Sequence, residues 1–349
     1  MSKKKTNASG GKRVALTVLC VVLGLLLVVM LGGTVYAEYL LGKLNYVDSS
    51  ETLPTLSEEE IQAIVEETEA LDPEFTGPVL SDEDVDFGEG PNVQIGGEED
   101  DAIVNILLIG QDTRTGVRSR SDSMILCTFN TSKNTLTMTS FMRDLYVQIP
   151  GYQNNRINAA YAYGGMPLLN ETLEENFGIH VDGNVEVDFE QFSDIIDLLG
   201  GVEMELSSGE AYWINKHVSG ANVKEGVNVL NGAEALTHAR NRNNIDGDFS
   251  RTNRQRQLLS ALVNEYKNSS LTEMVGMLDD VLPMVTTDMT KKQITNYVMD
   301  LFPMLASCEI ITQHIPVDGG YQNAVIGGAQ VLVPDMEKNI EALIDSLVE

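Results

Sequence analysis

The chain has 349 residues, of which 43% are apolar and 21% are charged, and its 52 acidic side chains outnumber 23 basic ones. The apolar fraction is that of a folded protein and excludes general disorder. A net charge of −29 argues against non-specific binding to nucleic acid, because little positive charge is available to neutralise the phosphates of a duplex. Three cysteines exclude a disulfide-dense scaffold.

An uncharged run of residues 14–37, rich in Leu and Val, follows a basic tail of residues 1–13. A helix of this length spans about 36 Å, which is enough to cross a bilayer core of about 30 Å. The positive charge before it places the tail in the cytoplasm and the rest of the chain outside. Val35-Tyr36-Ala37 also resembles the cleavage site of a signal peptide, but the run is longer than the apolar region of such a peptide. We therefore expect a single-pass transmembrane helix in the cell membrane and an extracytoplasmic domain.

Residues 38–101 are expected to form an acidic linker, since residues 48–101 contain 19 acids and no Lys or Arg. Ser57-Glu58-Glu59-Glu60 has the pattern of a capping box and precedes apolar residues at helical spacing. This pattern predicts a short helix near residues 58–71. Three prolines, five glycines and eleven acids in residues 72–101 predict an extended or disordered spacer.

The extracytoplasmic domain is expected over residues 102–349. Ile103–Ile109 is a nearly continuous apolar run, which is typical of a strand buried on both faces. Further strands are predicted at 124–129, 135–141, 185–189, 202–206 and 309–315, and helices at 157–177, 191–199, 232–240, 253–267, 271–282, 291–305 and from about 335. Strands that alternate with helices predict an α/β fold, a single domain with a central mixed β-sheet flanked by helices.

All ten arginines that follow the linker lie between residues 114 and 256, and most stand close to an aspartate. A guanidinium group is planar and binds phosphate oxygens in pairs, and carboxylates together with phosphate oxygens are the ligands that Mg²⁺ requires. One such Arg–Asp group is usually a surface ion pair. Asp112 and Arg143, however, directly follow predicted strands, and ligands of open α/β sheets bind outside the carboxyl ends of strands.

Seven motifs in chain order resemble those of the LytR-CpsA-Psr family of cell-wall phosphotransferases. They begin at Asn105 and extend to the arginine-rich segment that ends near Tyr266. They are Asn105-Ile-Leu-Leu-Ile-Gly-Gln-Asp112-Thr-Arg114, Arg120-Ser-Asp122, Ser140-Phe-Met-Arg143-Asp144, Arg156-Ile-Asn-Ala-Ala-Tyr161, Leu199-Gly-Gly-Val202, Leu230-Asn-Gly-Ala-Glu-Ala-Leu236 and Ala239-Arg240-Asn-Arg242. The Phe141-Met142 pair stands where the family commonly has Ile-Pro, and the Arg-Asp that follows is kept.

The resemblance implies a membrane-anchored phosphotransferase. Its expected partners are a polyprenyl-pyrophosphate-linked glycan, peptidoglycan and the membrane, with no nucleic acid. It would transfer the glycopolymer phosphate from the undecaprenyl-pyrophosphate carrier to a hydroxyl of N-acetylmuramic acid. The polymer, such as teichoic acid or capsule, is left open.

The resemblance also implies roles for individual residues. Asp112 and Asp122 would bind Mg²⁺ or Mn²⁺ with the pyrophosphate. The implied catalytic residues are Asp112, Arg120, Arg143, Asp144, Arg240, Arg242, Asp248 and Arg251. The implied substrate-binding residues are Arg114, Arg254 and Gln255. The general base that deprotonates the acceptor hydroxyl stays open between Asp112 and Asp248.

Two other functions remain possible at this point: a regulatory protein of the transcriptional attenuator type that binds lipid-linked glycan without transferring it, and a hydrolase of the same donor. Cys127 and Cys308 are either a disulfide or two buried apolar side chains. Residues 207–226 are expected to form a loop packed on the core, with sugar stacking by Tyr212 and Trp213 as the alternative. For His238, we expect a helical histidine with satisfied hydrogen bonds, with a position in the lining of the site as the alternative.

Overall fold

A computed structural model describes residues 34–48, 57, 59, 61, 77–97, 100, 102–111, 121–241, 247–266, 278–305 and 307–348. Residues 14–33 of the expected transmembrane helix lie outside this part, and its last residues begin helix α1 (Thr34–Leu41). Among the described residues, no helix combines the length and apolarity needed to span a bilayer. Of the expected helix at 58–71, only Glu59 and Ile61 are described; both are helical, and the Ile61 amide donates to the Ser57 carbonyl at 3.0 Å.

The chain divides into two compact units. The sheet unit comprises Tyr46–Glu186, Thr287–Met289 and Ser307–Glu349, and the helical unit comprises Met1–Asn45, Val187–Thr286 and Thr290–Ala306. Each unit is described by itself.

The main sheet belongs to the sheet unit except for a few terminal strand residues. Its strands are β1 (Asn45–Tyr46), β3 (Ile103–Gln111), β4 (Ser121–Asn130), β5 (Thr135–Phe141), β8 (Gly183–Asp188), β11 (Thr286–Thr287) and β12 (Glu309–Ile315), in the order β1-β11-β8-β3-β4-β5-β12. β3, β4 and β5 are consecutive antiparallel neighbours, whereas β12 is parallel to β5, so the sheet is mixed as predicted. The C-terminal ends of β3 and β5 and the start of β4 therefore meet at one edge of the sheet.

Residues 77–97 are packed on the sheet unit, which corrects the expectation of an extended or disordered spacer. Strand β2 (Val79–Leu80) pairs with β13 (Tyr321–Ile326), and β13 pairs with β14 (Ala329–Pro334). The buried side chain of Asn105 on β3 donates to the carbonyls of Ile95 at 3.0 Å and His180 at 2.9 Å. These hydrogen bonds hold the segment against the sheet, and a composition-based reading misses them because they depend on one polar residue within an apolar strand.

The other helices of the sheet unit are α2 (Ile157–Phe177) and α8 (Met336–Leu347), and a short hairpin of β6 (Tyr146–Val147) and β7 (Asn155–Arg156) precedes α2. α2 has the predicted bounds but is kinked at Gly165, whose φ of 65° is one that glycine adopts without strain. It ends at Gly178, also with positive φ, where an added Cβ would lie 2.1 Å from the Val93 carbonyl oxygen. Only glycine fits this close approach.

The helical unit consists mainly of short helices that begin at capping residues. Its elements are α3 (Phe189–Leu198), β9 (Val202–Leu206), α4 (Ser208–His217), β10 (Gly226–Leu230), α5 (Gly232–Ala239), α6 (Gly247–Tyr266) and α7 (Lys291–Leu305). Capping boxes at Asp188, Ser207 and Asn231 start α3, α4 and α5. The first half of the segment 207–226 is thus a helix and not the expected loop, because Ser207 and Glu210 form a cap. Residues 218–225 are irregular, as expected. The predicted helix at 253–267 begins earlier, at Gly247. Of the helix predicted at 271–282, residues 271–277 lie outside the described part.

Candidate functional site

Arg143 is a buried cation at the edge of the main sheet. It follows β5 by two residues, and its side chain contacts two carboxylates: Nη1 lies 3.3 Å from Asp122 Oδ1, and Nε lies 3.4 Å from Asp144 Oδ2. Arg143 is only 8% exposed. The two carboxylates compensate for the burial of its charge, which would otherwise be unfavourable.

Arg156 extends this arrangement into a chain of four charged groups. Its Nη1 atom lies 3.2 Å from Asp144 Oδ1, so Asp144 lies between two guanidinium groups. We call the four residues Asp122, Arg143, Asp144 and Arg156 the Arg143 cluster. Asp122 comes from β4 and Arg156 from the short strand before α2, so three separate segments position the cluster on a rigid scaffold.

Several buried polar atoms in and next to the Arg143 cluster have no hydrogen-bond partner among the described residues. They are Ser121 Oγ, Ser140 Oγ, Arg156 Nε and Asn158 Oδ1. The backbone amide of Asn158 donates to the Arg143 carbonyl at 3.4 Å, and Ser121 precedes Asp122 directly, which ties both residues to the cluster. Unsatisfied buried polar atoms are uncommon in proteins and favour a polar ligand or ordered water at such a place.

The end of β3, which leads to Asp112, is fixed by a carboxylate. Glu186 on β8 accepts hydrogen bonds from the side-chain amide of Gln111 and from the hydroxyl of Tyr161 on α2. Gln111 is the last described residue before Asp112. Glu186 therefore holds the side chain of the last described residue before Asp112 against β8 and α2.

In the helical unit, α6 carries a second set of buried arginines. Arg251 Nη2 lies 3.2 Å from Asp248 Oδ2 one turn earlier on the helix. Arg254 Nε lies 2.8 Å from Glu210 Oε1, and its Nη1 donates to the Asn241 carbonyl at 2.7 Å. We call Glu210, Asp248, Arg251 and Arg254 the α6 cluster.

Glu210 has two structural roles in the α6 cluster. It closes the capping box of α4 by accepting from the Ser207 amide at 3.0 Å and the Ser207 hydroxyl at 2.7 Å, and it binds Arg254. Burial by itself raises the pKa of Glu210, but the hydrogen bonds from Ser207 and Arg254 outweigh it and hold the pKa below its usual value. Glu210 is thus an anion at neutral pH.

His238 lies near this pair but is not the satisfied helical histidine that we expected. It is 1% exposed, and neither ring nitrogen has a hydrogen-bond partner in the described part of the chain. Burial lowers its pKa to about 4; the negative charge of Glu210 opposes this shift and the positive charge of Arg254 adds to it. His238 is therefore a neutral imidazole at physiological pH.

Two further polar features of the helical unit are the Arg240 side chain and a groove with acidic residues in its lining. The Arg240 guanidinium lies 4.8 Å from the ring centroid of Phe189, a cation–π distance. A groove of about 520 Å³ has the carboxylates of Glu190 and Asp194 and the imidazole of His217 in its lining. The two carboxylates disfavour phosphate in this groove.

A divalent cation is compatible with the residues at the Arg143 cluster. The described residues contain no group of three or more His, Cys, Asp or Glu side chains arranged to hold a metal. Mg²⁺ takes oxygen ligands and usually receives only one or two carboxylates from the protein, the others coming from phosphate and water. The carboxylate of Asp122 and the unsatisfied hydroxyl of Ser121 are oxygen donors of this kind.

The sequence model of the LytR_cpsA_psr family matches residues 74–345, which is most of the chain. The chain belongs to the LytR-CpsA-Psr family. This match confirms the resemblance found in the seven motifs, and it includes residues 77–97, which the motifs did not reach.

Members of the LytR-CpsA-Psr family with similar sequences carry two kinds of name. The chain is 38% identical to the regulatory protein MsrR of Staphylococcus aureus over 173 residues, 49% of this chain and 51% of MsrR. It is 34% identical to the polyisoprenyl-teichoic acid–peptidoglycan teichoic acid transferase TagT of Bacillus subtilis over 214 residues, 59% of this chain and 65% of TagT. The chain thus spans about half the length of MsrR and just under two thirds of TagT.

A solved structure of the family has the same fold. The TagT protein YwtF with bound octaprenyl pyrophosphate lipid aligns with a TM-score of 0.56 and 26% identity, covering 75% of this chain and 98% of that one. The α/β fold with a central mixed sheet and flanking helices is therefore that of the LytR-CpsA-Psr family.

The structure brings together part of the site predicted from the sequence. In the sheet unit Asp122, Arg143 and Asp144 lie in one cluster, and in the helical unit Asp248, Arg251 and Arg254 lie on α6. Gln255 is partly buried next to Arg254. Four predicted site residues lie outside the described part of the chain: Asp112, Arg114, Arg120 and Arg242.

The sequence analysis assigned no role to three charged residues that the structure places in these arrangements. Arg156 had a signal, since it opens one of the family motifs. Glu210 had only a Ser-x-x-Glu capping pattern, which predicts a helix start but not an ion pair with Arg254, 44 positions away. Glu186 had no signal, because a single acid within a predicted strand does not indicate what it contacts.

Proposed function

We propose that this protein transfers a glycopolymer phosphate from an undecaprenyl-pyrophosphate carrier to a hydroxyl of peptidoglycan. The observation that carries this proposal is the Arg143 cluster, in which two buried guanidinium groups and two carboxylates meet beside unsatisfied polar atoms. Guanidinium groups held in place by carboxylates are suited to binding phosphate oxygens. The teichoic acid transferase named among the relatives and the prenyl pyrophosphate bound to the related structure are consistent with this chemistry.

The proposed mechanism follows from the charge that develops during transfer. The acceptor hydroxyl attacks the phosphorus that carries the glycan, the pyrophosphate bond breaks, and the carrier leaves as a monophosphate. Negative charge grows on the leaving phosphate, so fixed cations beside it stabilise the transition state more than the bound donor. The pyrophosphate bond supplies the free energy, and no nucleotide is needed outside the cell.

Within this mechanism Arg143 would bind phosphate oxygens, and Asp144 would keep Arg143 and Arg156 in position. The motif resemblance implies catalytic roles for Arg240 and Arg251 and substrate-binding roles for Arg254 and Gln255. Asp122, with Asp112, would hold Mg²⁺ or Mn²⁺, which when bound supplies further positive charge for the phosphates. Asp112 and Asp248 stay the candidates for the general base.

We further propose that residues 14–37 anchor the protein in the cell membrane with the basic tail in the cytoplasm. This placement would bring the folded part of the chain to the side of the membrane where peptidoglycan lies. It rests on the uncharged run and on the five basic residues before it.

A second candidate is a protein that binds lipid-linked glycan and acts in regulation without transfer, and the name of MsrR favours it. A hydrolase of the same donor is a third. The full-length protein in detergent, given radiolabelled lipid-linked glycan, peptidoglycan and Mg²⁺, separates the three. Label on peptidoglycan supports transfer, free glycan phosphate indicates hydrolysis, and retention of intact donor with binding indicates a regulator.

A further inference from the structure

Arg256 is a buried cation on α6 without a carboxylate partner in the described part of the chain. It is 4% exposed, and in that part of the chain its Nε and Nη1 atoms have no hydrogen-bond partner. Its Nη2 atom lies 3.5 Å from Asn253 Oδ1, at the outer limit of a hydrogen bond. The arginine-rich end of the motif region includes Arg256, yet neither the motifs nor the proposed mechanism uses it.

The two neighbouring arginines of α6, in contrast to Arg256, are each paired with a carboxylate. Arg251 is paired with Asp248 at 3.2 Å, and Arg254 is paired with Glu210 at 2.8 Å. The helix therefore buries three guanidinium groups, and the α6 cluster supplies carboxylates for only two of them. One positive charge is left without a counter-ion from these acids.

Such a charge is unfavourable in the protein without ligand. Burial lowers the pKa of Arg256 to about 10, which still leaves the guanidinium protonated at neutral pH. A charged group out of contact with water and without a partner costs free energy, and an anion that binds it recovers part of that cost. Asn253, whose Oδ1 lies 3.5 Å from Nη2, is itself exposed to solvent.

We propose that Arg256 binds phosphate oxygens of the lipid-linked donor and is a binding residue additional to those of the family motifs. The inference rests on the proposed function for the identity of the donor. The phosphate belongs either to the pyrophosphate of the carrier or to the phosphodiesters of the glycan, since both offer the same oxygens to a guanidinium.

The test measures stability and binding of the full-length protein in detergent, without any transfer reaction. Arg256→Met removes the charge at similar volume, Arg256→Lys keeps the charge without the planar fork, and Gln257→Met at the next, exposed position is the matched control. The probes are farnesyl pyrophosphate with Mg²⁺, which represents the carrier, and a lipid-free glycerol phosphate oligomer, which represents the glycan.

We expect Arg256→Met to unfold at a higher temperature than wild type without ligand and to bind one probe at least tenfold more weakly. Arg256→Lys recovers part of the affinity, and Gln257→Met behaves as wild type. If Arg256→Met loses affinity for farnesyl pyrophosphate, Arg256 binds the phosphates of the carrier. If it loses affinity for the glycerol phosphate oligomer, Arg256 binds the phosphates of the glycan.

Wild-type affinity of Arg256→Met for both probes overturns the proposal. So does a lower unfolding temperature of this variant without ligand, because it would show a stabilising partner within the chain. Failure of the proposed function can be distinguished from failure of the Arg256 proposal. If the wild-type protein binds a probe but never transfers label to peptidoglycan, the transferase function is contradicted, while the binding result for Arg256 stands.

Discussion

The Nη1 atom of Arg143 lies 3.3 Å from Oδ1 of Asp122, a residue that precedes it by 21 positions and belongs to a different strand. Because β4 and β5 are antiparallel, the beginning of one strand and the end of the other lie at the same edge of the sheet. The strand pairing thus brings together an arginine and an aspartate from two motifs. This juxtaposition is the basis of the proposed phosphate chemistry in the sheet unit.

Replacing Arg143 tests whether the Arg143 cluster takes part in phosphate transfer. We expect Arg143→Ala to lower the rate of glycan transfer at least tenfold, since a fixed donor to the phosphates is lost in the transition state. The same loss is expected for Arg242→Ala, on the strength of its motif. Circular dichroism should show that both variants remain folded.

Lys133→Ala is the control for Arg143→Ala, because Lys133 is an exposed cation in the turn between β4 and β5. Its transfer rate should equal that of wild type. Unchanged transfer in both arginine variants would remove their assigned roles.

The Arg254–Glu210 pair is expected to stabilise the helical unit. Arg254→Met leaves the half-buried carboxylate of Glu210 without its cation, and we expect the free energy of unfolding to fall by about 3 kcal/mol. The double variant Arg254→Met/Glu210→Gln should lose less than the sum of the single variants, because neither charge is then left alone. Urea denaturation measures all three.

The exposed pair of Lys338 and Asp335 is the control for that series. Lys338→Met should leave the stability unchanged, because water screens an exposed pair. Strict additivity of the Arg254 and Glu210 substitutions would show that the two side chains do not interact energetically.

His238 predicts a pH dependence of stability. Its pKa is about 4 in the folded protein and about 6.5 when unfolded, so the unfolded chain takes up the proton first as the pH falls. The contribution of neutral His238 to the free energy of unfolding is fully present above pH 6.5. It is lost as the pH decreases toward 4. At pH 5 the loss amounts to about 2 kcal/mol.

His238→Phe keeps a buried ring without the titrating group. Urea unfolding at pH 7 and pH 5 should therefore show a smaller decrease in stability for the variant than for wild type. Equal decreases would mean that His238 has the same pKa in both states. The comparison stops at pH 5 because carboxylates such as Glu210 begin to titrate below it.

The two cysteines outside the expected transmembrane helix should behave as unreactive thiols. Cys127 and Cys308 are both buried and form no disulfide among the described residues, which favours the second of the two alternatives left by the sequence. Burial raises the pKa of the Cys127 thiol to about 12, so almost no thiolate forms at neutral pH. Iodoacetamide should modify neither residue in the folded protein and both after denaturation.

Mass spectrometry of the alkylated peptides provides the measurement. The peptide that contains Cys20, in the expected transmembrane helix, is analysed separately and serves as an internal reference for the alkylation. A disulfide-linked peptide containing Cys127 and Cys308 would contradict the structure, which has no disulfide between them.

The sequence predicted those parts of the fold that depend on local patterns. The apolar run at Ile103, the helix at 157–177 and the strand at 309–315 each follow from hydrophobic spacing and turn residues within one segment. What escaped prediction depends on contacts between distant segments. Asn105 holds the segment around Ile95, and β2 pairs with β13, although the composition of residues 72–101 alone indicates disorder.

The same distinction applies to the site. Motif resemblance identified Arg143, Asp144 and Arg254, because these types of residue recur in a recognisable order. It gave no role to Glu210. It also did not distinguish Arg256, which has no carboxylate partner among the described residues, from Arg254, which has one. Burial and pairing of charges are properties of the folded chain, and spacing in the sequence does not encode them directly.

A crystal structure of the protein with a polyprenyl pyrophosphate bound tests most directly whether the Arg143 cluster binds phosphate. We predict phosphate oxygens within about 3 Å of the Arg143 guanidinium, at hydrogen-bonding distance. A pyrophosphate bound elsewhere, with Arg143 contacting only Asp122 and Asp144, would contradict this prediction.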